Sequence, residues 1–161
     1  MHIQRIFDKT HDVTLLVDEA HELPDRLREM LSGRVDGGAV RRLRAETGRT
    51  LGRRHPLYKA MTSLLNAITD LPVPEDRPEG RLTELPQSLR RSVQQVTDAI
   101  QELPGDALPG QNSDDSLSGV LHDLLSFGRA MRSDCEQAFL YEGQRDRTVH
   151  ALALDVGSYF A

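Results

Sequence analysis

The sequence is poor in several residue types, and each shortage narrows what the protein can be. Of its 161 residues, one is cysteine, none is tryptophan, and two of the 20 basic residues are lysine. A single cysteine cannot form an internal disulfide or a four-cysteine iron–sulfur site, and it fits a reducing cytoplasm. No apolar run approaches the ~20 residues that span a bilayer, and no signal-peptide pattern is present. We therefore expect a cytoplasmic protein with no membrane partner and no iron–sulfur cluster in this segment.

A phosphate-binding loop is also missing. The pattern G-x-x-x-x-G-K-[ST] does not occur, and no glycine is followed by lysine. In nucleotide hydrolases this loop supplies the backbone N–H groups and the lysine that hold the β- and γ-phosphates. We therefore expect that this chain alone binds no cofactor and does not hydrolyse ATP.

Charge is plentiful but unevenly distributed. The net charge of −5 argues against a surface that coats nucleic acid uniformly. One stretch nevertheless has six arginines against a single acid, Glu46, and it is the best local candidate for a contact with DNA phosphates. The alternative is a solvated helix face followed by a loop. The six residues are Arg41, Arg42, Arg44, Arg49, Arg53 and Arg54.

Helical spacing of apolar residues dominates the middle of the chain. A first helix starts near Leu23-Pro24 and ends at Gly33 or at the Gly37-Gly38 pair. Long loops are expected at Leu71–Gly80 and Pro104–Ser113, which are rich in proline. Further helices are predicted at Ala39–Thr47, at Pro56–Leu71, at about Pro86–Glu102, and from an N-cap at Asp114–Ser116 through Cys135 to Ala138. Within the last helix, Cys135 is interpreted as a small buried residue.

Strand patterns lie towards the two ends. Val13–Val17 is an apolar run, and Phe139–Glu142 and Thr148–Leu154 are predicted to form a hairpin around Gly143–Arg147. Apolar residues occupy both alternating positions of Thr148–Leu154, which is typical of a strand covered on both faces. The predicted fold class is therefore mostly α, with four or five packed helices and a small β element formed by the two chain ends.

Four residues, Asp18-Glu19-Ala20-His21, directly follow the first apolar run. A buried strand that ends in adjacent acids is the Walker B arrangement, because the strand carries the carboxylates to a sheet edge where Mg²⁺ and nucleotide phosphates meet. The alternative interpretation is an apolar strand followed by an acidic helix N-terminus.

The wider stretch VTLLVDEAHELPDRLREMLS, residues 13–32, resembles motif II of the superfamily-2 DNA helicases related to XPD and the bacterial DinG proteins. In that family the motif typically continues as DEAHNLPDR. Glu22 stands where the family usually has asparagine, while residues 23–26 keep the pattern. Towards the other end, VHALALD, residues 149–155, is similar to the strand before the third motif, with Val156-Gly157 replacing the usual Pro-Ser. Phe7-Asp8 resembles the segment that precedes the DEAH strand.

This resemblance implies a segment of a larger ATP-dependent DNA helicase. Residues 1–22 would carry the motif II strand of the first motor domain, residues 23–138 a helical arch-like insertion, and residues 139–161 the returning strand or strands. Asp18 would help hold the Mg²⁺ of bound ATP through water, and Glu19 would act as general base or orient the attacking water. His21 would link nucleotide state to the DNA-binding side.

The implied partners are single-stranded DNA and the rest of the motor, and a DNA-repair role is typical of the group. ATP and Mg²⁺ would be cofactors of the whole enzyme only. Exposed strand edges predict a tendency to dimerise. A second hypothesis stays open, in which the chain is a free-standing helical interaction or scaffold protein and DEAH is incidental.

Overall fold

A computed structural model describes residues 20–74, 76–104, 115–144 and 146–155. These ranges contain one 3₁₀ turn, five α-helices and a four-stranded antiparallel sheet, so the predicted fold class is confirmed. No helix among the described residues has both the length and the apolar character needed to cross a membrane. The predicted strand Val13–Val17 lies outside the described residues. In chain order the elements are η1 Ala20–Glu22, α1 Leu23–Met30, β1 Gly33–Asp36, α2 Gly37–Thr50, α3 Pro56–Thr69, β2 Glu79–Leu82, α4 Gln87–Gln101, α5 Asp115–Ala130, β3 Gln137–Glu142 and β4 Thr148–Ala153.

The sheet has the strand order β1-β4-β3-β2. The predicted hairpin is confirmed as β3 and β4, and Gly143 at φ +86° begins its turn. Gly33 of β1 lies opposite Ala151 of β4, and Leu82 of β2 lies opposite Phe139 of β3. The two outer strands both lie within residues 23–138, so one sheet joins segments from both sides of the boundary expected at residue 138.

One face of the sheet carries the helices. Val149 and Ala151 of β4 point inwards with 0% of their surface exposed, whereas Leu152 on the other face is 36% exposed. The expectation that both faces of Thr148–Leu154 would be covered is therefore wrong, because alternate side chains of β4 lie on an open face. The inward side chains join one continuous apolar core with helices α2 to α5. Its fully buried members contribute about 1.5–3 kcal/mol each; the largest are Phe127, Leu43, Leu57, Met61, Leu64, Leu89 and Leu124.

The Gly37-Gly38 pair opens a helix instead of ending one. The carboxylate of Asp36 accepts a hydrogen bond of 2.9 Å from the backbone N–H of Ala39, which makes Asp36 the N-cap of α2. The short strands β1 and β2 were also missed. They span four residues each, which is too few for a period-two pattern to emerge from the sequence.

The last helix is shorter than predicted. It ends at Ala130, so Cys135 lies in the following loop and Ala138 lies in β3 opposite Leu152. Cys135 is buried, as expected, and its thiol donates to the carbonyl oxygen of Asp155. Where the helix ends, the carbonyl of Ala130 accepts hydrogen bonds from the N–H of Ser133 and from the side-chain amide of Gln137, and the chain then turns into the sheet. The expected loop at residues 105–113 lies outside the described residues.

Helix α1 sits beside the end of β4. Leu27 and Leu31 pack against Cys135 and Ala153, forming a small second apolar cluster. The hydroxyl oxygen of Ser32 accepts a hydrogen bond of 3.0 Å from the backbone N–H of Ala153. The segment that follows the DEAH motif is therefore a neighbour of β4, the strand that the family resemblance puts before the third motif. Helices α2 to α5 lie between these two segments in sequence.

Candidate nucleic-acid interface

The motif residues are divided by the limit of the described chain. Asp18 and Glu19 lie outside the described residues. His21 lies in the 3₁₀ turn η1 and is exposed. The structure therefore gives the position of the last motif residue and no geometry for the two carboxylates.

The helix that follows η1 carries local ion pairs. Arg26 contacts the carboxylate of Glu22 at 2.8 Å, and Arg28 contacts that of Asp25 at 2.6 Å. Glu22 is the N-cap of α1 but makes no side-chain capping hydrogen bond. Asp25 and Arg26 are thus used in exposed pairs along the surface, which contribute little stability.

The predicted arginine stretch covers α2 and the tight link to α3. Gly52 adopts φ +87° just after the last turn of α2, the left-handed conformation that commonly ends a helix. Three residues later His55 is the N-cap of α3: its Nδ1 accepts a hydrogen bond of 3.2 Å from the N–H of Leu57. Pro56 occupies the first position of α3, where no N–H is needed. The two helix ends thus form a corner that presents Arg53 and Arg54.

Two of the six arginines have carboxylate partners. Arg41 contacts Asp146, in the turn between β3 and β4, at 2.6 Å. Arg49 contacts Glu46, three residues earlier on the same helix, at 2.7 Å. Because each of these charges is already balanced, neither residue is a strong candidate for a phosphate contact.

A third arginine is held by an aromatic ring. The guanidinium carbon of Arg44 lies 5.5 Å from the ring centroid of Tyr58 on α3, within the range of a cation–π interaction. Its Nε is buried and has no hydrogen-bond partner among the described residues. The ring itself lies on Gly48, since a Cβ built there would be 2.9 Å from Cε2 of Tyr58. The aliphatic stem of Arg53 reaches the same glycine, with Cγ at 3.7 Å from that Cβ position.

Arg42, Arg53 and Arg54 are exposed and form no ion pair within the described part of the chain. Arg42 is separate from the other two, because its Nη1 lies near Gly38 at the opposite end of α2. The six arginines are therefore not one cluster. The structure brings together Arg44, Arg53 and Tyr58 at Gly48. The exposed Arg54 follows Arg53 directly in sequence, and we call these four residues the basic corner.

Tyr58 was not singled out from the sequence. Its signal was an aromatic residue in the first turn of a helix that begins right after Arg53-Arg54. That position matters only once α2 and α3 are known to pack against each other with Gly48 at the contact. The predicted helix ended at Thr47, whereas α2 continues to Thr50, so Gly48 lies inside the helix and leaves room for the ring of Tyr58.

A second set of ionisable groups lies on the open side of the sheet. Asp123 accepts a hydrogen bond of 2.9 Å from Nε of Arg34, which raises the pKa of Arg34 above its ordinary value. His150 lies 3.1 Å from Oε1 of Glu142. These residues are in pairs and not in a converging cluster. Within the described ranges, no three His, Cys, Asp or Glu side chains are grouped so that they could hold a metal ion.

Comparison with known proteins assigns the chain to no family. No family model matches the chain, and no curated protein matches it significantly.

Proposed function

We propose that this chain is the motif II and arch segment of an XPD/DinG-like superfamily-2 DNA helicase that acts in the cytoplasm on single-stranded DNA. One observation carries the proposal beyond the motif itself. The segment after DEAH and the strand β4 are neighbours, joined by the hydrogen bond between Ser32 and Ala153. An insertion must leave and re-enter its host domain side by side, and this arrangement supports that requirement.

The chemistry of the proposed enzyme rests on the resemblance. Asp18 and Glu19 supply hard carboxylate oxygens, the donor type that Mg²⁺ prefers. When bound with ATP, Mg²⁺ would neutralise charge on the transferred phosphoryl group. Asp18 would hold the hydrated ion, and Glu19 would orient the attacking water or accept its proton. The phosphate-binding loop would come from another part of the motor.

The proposed DNA contact is the basic corner. Arg53 and Arg54 are exposed and form no ion pair within the described ranges, so they are free to release counterions when phosphates bind. The corner also lies at the N-terminus of α3, a 14-residue helix whose dipole favours anions. These features support a sequence-independent contact with the sugar–phosphate backbone.

The experiment that tests the enzyme is ATP hydrolysis by the reassembled motor. The first step is to look for coding frames with a Walker A loop upstream and a motif III downstream. The complete motor should hydrolyse ATP when single-stranded DNA is added. Glu19→Gln should abolish this activity, because the amide cannot accept the proton of the attacking water. Glu22→Gln, three residues away in the same acidic run, is the matched control and should keep the activity.

A Glu19→Gln motor that turns over at the wild-type rate would overturn the proposal.

The second candidate, a free-standing interaction protein, is favoured by one observation: helices α2 to α5 and the sheet share one continuous core. Under that hypothesis the chain folds alone, and neither the DEAH carboxylates nor the basic corner affects any nucleotide or DNA assay.

A further inference from the structure

We propose that Tyr58 is a base-stacking residue, so that the basic corner binds a single strand by a base as well as by phosphates. This inference rests on the proposed function for its ligand, DNA. Base stacking on Tyr58 would make the site prefer single strands, a preference that arginine contacts with phosphates alone do not provide.

The ring of Tyr58 packs closely against helix α2. Tyr58 lies on the backbone of α2 because Gly48 has no side chain, and the contact distance leaves no room for one. Arg44 lies over the ring at 5.5 Å, and the stem of Arg53 borders it. A ring held in this way loses little conformational entropy when a ligand binds, which favours affinity.

The neighbours of the ring are arginine side chains. Arg44 forms no ion pair with a carboxylate among the described residues, and its guanidinium carbon lies 5.5 Å from the centroid of the Tyr58 ring. Tyrosine rings and arginine guanidinium planes are surfaces on which unpaired nucleobases stack, whatever their identity. Tyr58 is only half-buried, so part of its ring is accessible to a base. Arg53 and Arg54 then lie where the adjoining phosphates would pass.

An acidic groove borders the site on one side. Lys59, the next residue, lines a groove between α3 and α4 of about 430 Å³ that also contains Asp98 and Glu102. Those carboxylates repel a nucleic-acid backbone, so the strand is not expected to continue into this groove. Lys59 is therefore a matched control: it is a cation adjacent to Tyr58, but it lies on the acidic side.

The experiment measures the affinity of the purified 161-residue chain for three labelled probes by fluorescence anisotropy at low salt. The probes are an oligothymidylate, an abasic deoxyribose-phosphate oligomer of the same length, and the matching duplex. The wild type should bind oligothymidylate more tightly than either other probe. Tyr58→Leu should weaken oligothymidylate binding about fivefold or more and change abasic binding less than twofold, since stacking is lost and charge is not.

Controls separate stacking from folding. Tyr58→Phe keeps the ring and should bind like the wild type, and Lys59→Ala should change oligothymidylate affinity less than twofold. Should Tyr58→Leu fail to fold by circular dichroism, Tyr58→Trp replaces it and should bind oligothymidylate more tightly than the wild type. Equal loss on the oligothymidylate and abasic probes, or no loss on either, would overturn the stacking role.

The outcomes also separate this inference from the proposed function. If Arg53→Glu/Arg54→Glu abolishes binding while Tyr58→Leu does not weaken it, the DNA site stands and the stacking role is wrong. If the wild type binds neither single-stranded probe, the DNA contact of the proposed function fails, and the stacking role fails with it.

Discussion

The hydroxyl oxygen of Ser32 and the backbone N–H of Ala153 are joined by a hydrogen bond of 3.0 Å across 121 residues of sequence. Around it, Leu27 of α1 and Leu31, the C-cap residue of that helix, pack against Cys135 and Ala153. This contact fixes the entry to the helical region beside its exit. It is the geometry that an insertion needs, and it makes Ser32 a point where stability and architecture can be tested together.

Ser32→Ala should lower the free energy of unfolding by about 1–3 kcal/mol, because it leaves the buried N–H of Ala153 without an acceptor. Urea denaturation measures the change. Ser63→Ala is the matched control: Ser63 is exposed, and its hydroxyl bonds to the carbonyl of Lys59 in its own helix. The control should stay within about 0.5 kcal/mol of the wild type. Equal effects of the two variants would show that the Ser32 bond does not stabilise the junction.

Gly33→Ala tests the packing of α5 against β1. A Cβ at residue 33 would lie 2.5 Å from Cα of Phe127, and that backbone cannot move aside like a side-chain tip. We expect a loss of at least about 1–3 kcal/mol in urea denaturation. Gly119→Ala, in an open part of α5, has no atom within 4 Å of its new Cβ and should gain up to about 1 kcal/mol. A stable Gly33→Ala variant would contradict the close approach of α5 to β1.

Gly48→Ala should separate stability from binding. The new methyl group would displace the ring of Tyr58, a side chain that can swing outwards, while the helix gains about 1 kcal/mol in propensity. Stability should therefore change little. The ring resonances of Tyr58 in NMR spectra should shift, and affinity for oligothymidylate should fall. Gly119→Ala makes the same substitution far from the ring and should leave both unchanged. Unaltered Tyr58 resonances in Gly48→Ala would contradict the contact.

The thiol of Cys135 should report on the docking of α1. It is buried against Leu27 and Leu31, so a disulfide reagent such as DTNB should label the native chain at least about 100-fold more slowly than the urea-unfolded chain. Leu27→Ala should speed native labelling by loosening α1. The matched variant Leu103→Ala removes a half-buried leucine of the main core and should not speed it to the same extent. Fast labelling of the wild type would mean that α1 does not cover the thiol.

The helices could be predicted from sequence because long amphipathic stripes carry their own signal. Pro56 and the apolar spacing after it gave α3 to within two residues of its end. The hairpin of β3 and β4 followed from alternation around a glycine-containing turn. The strands β1 and β2 could not be predicted, since four residues such as GRVD or EGRL form a strand only when a neighbouring strand supplies the hydrogen bonds.

The candidate site was predicted by charge and corrected by geometry. Counting arginines selected the stretch that contains the proposed site, but it gave equal weight to Arg41 and Arg49, whose charges are balanced by Asp146 and Glu46. Asp146 is more than 100 residues away from Arg41, so no local pattern could show this pairing. Tyr58 joins the site only through the packing of two helices.

The strand order β1-β4-β3-β2 has a consequence for biosynthesis. The outer strands are translated first, and the two central strands are translated last. At about 5–20 residues per second, β1 waits on the order of seconds to tens of seconds for β4 to leave the ribosome. Until then the core side chains that pack against Val149 and Ala151 lack these partners, and such exposed apolar surface is what chaperones bind. A nonsense codon after α5 would remove the central strands β3 and β4 and leave the outer strands β1 and β2 without hydrogen-bonding partners.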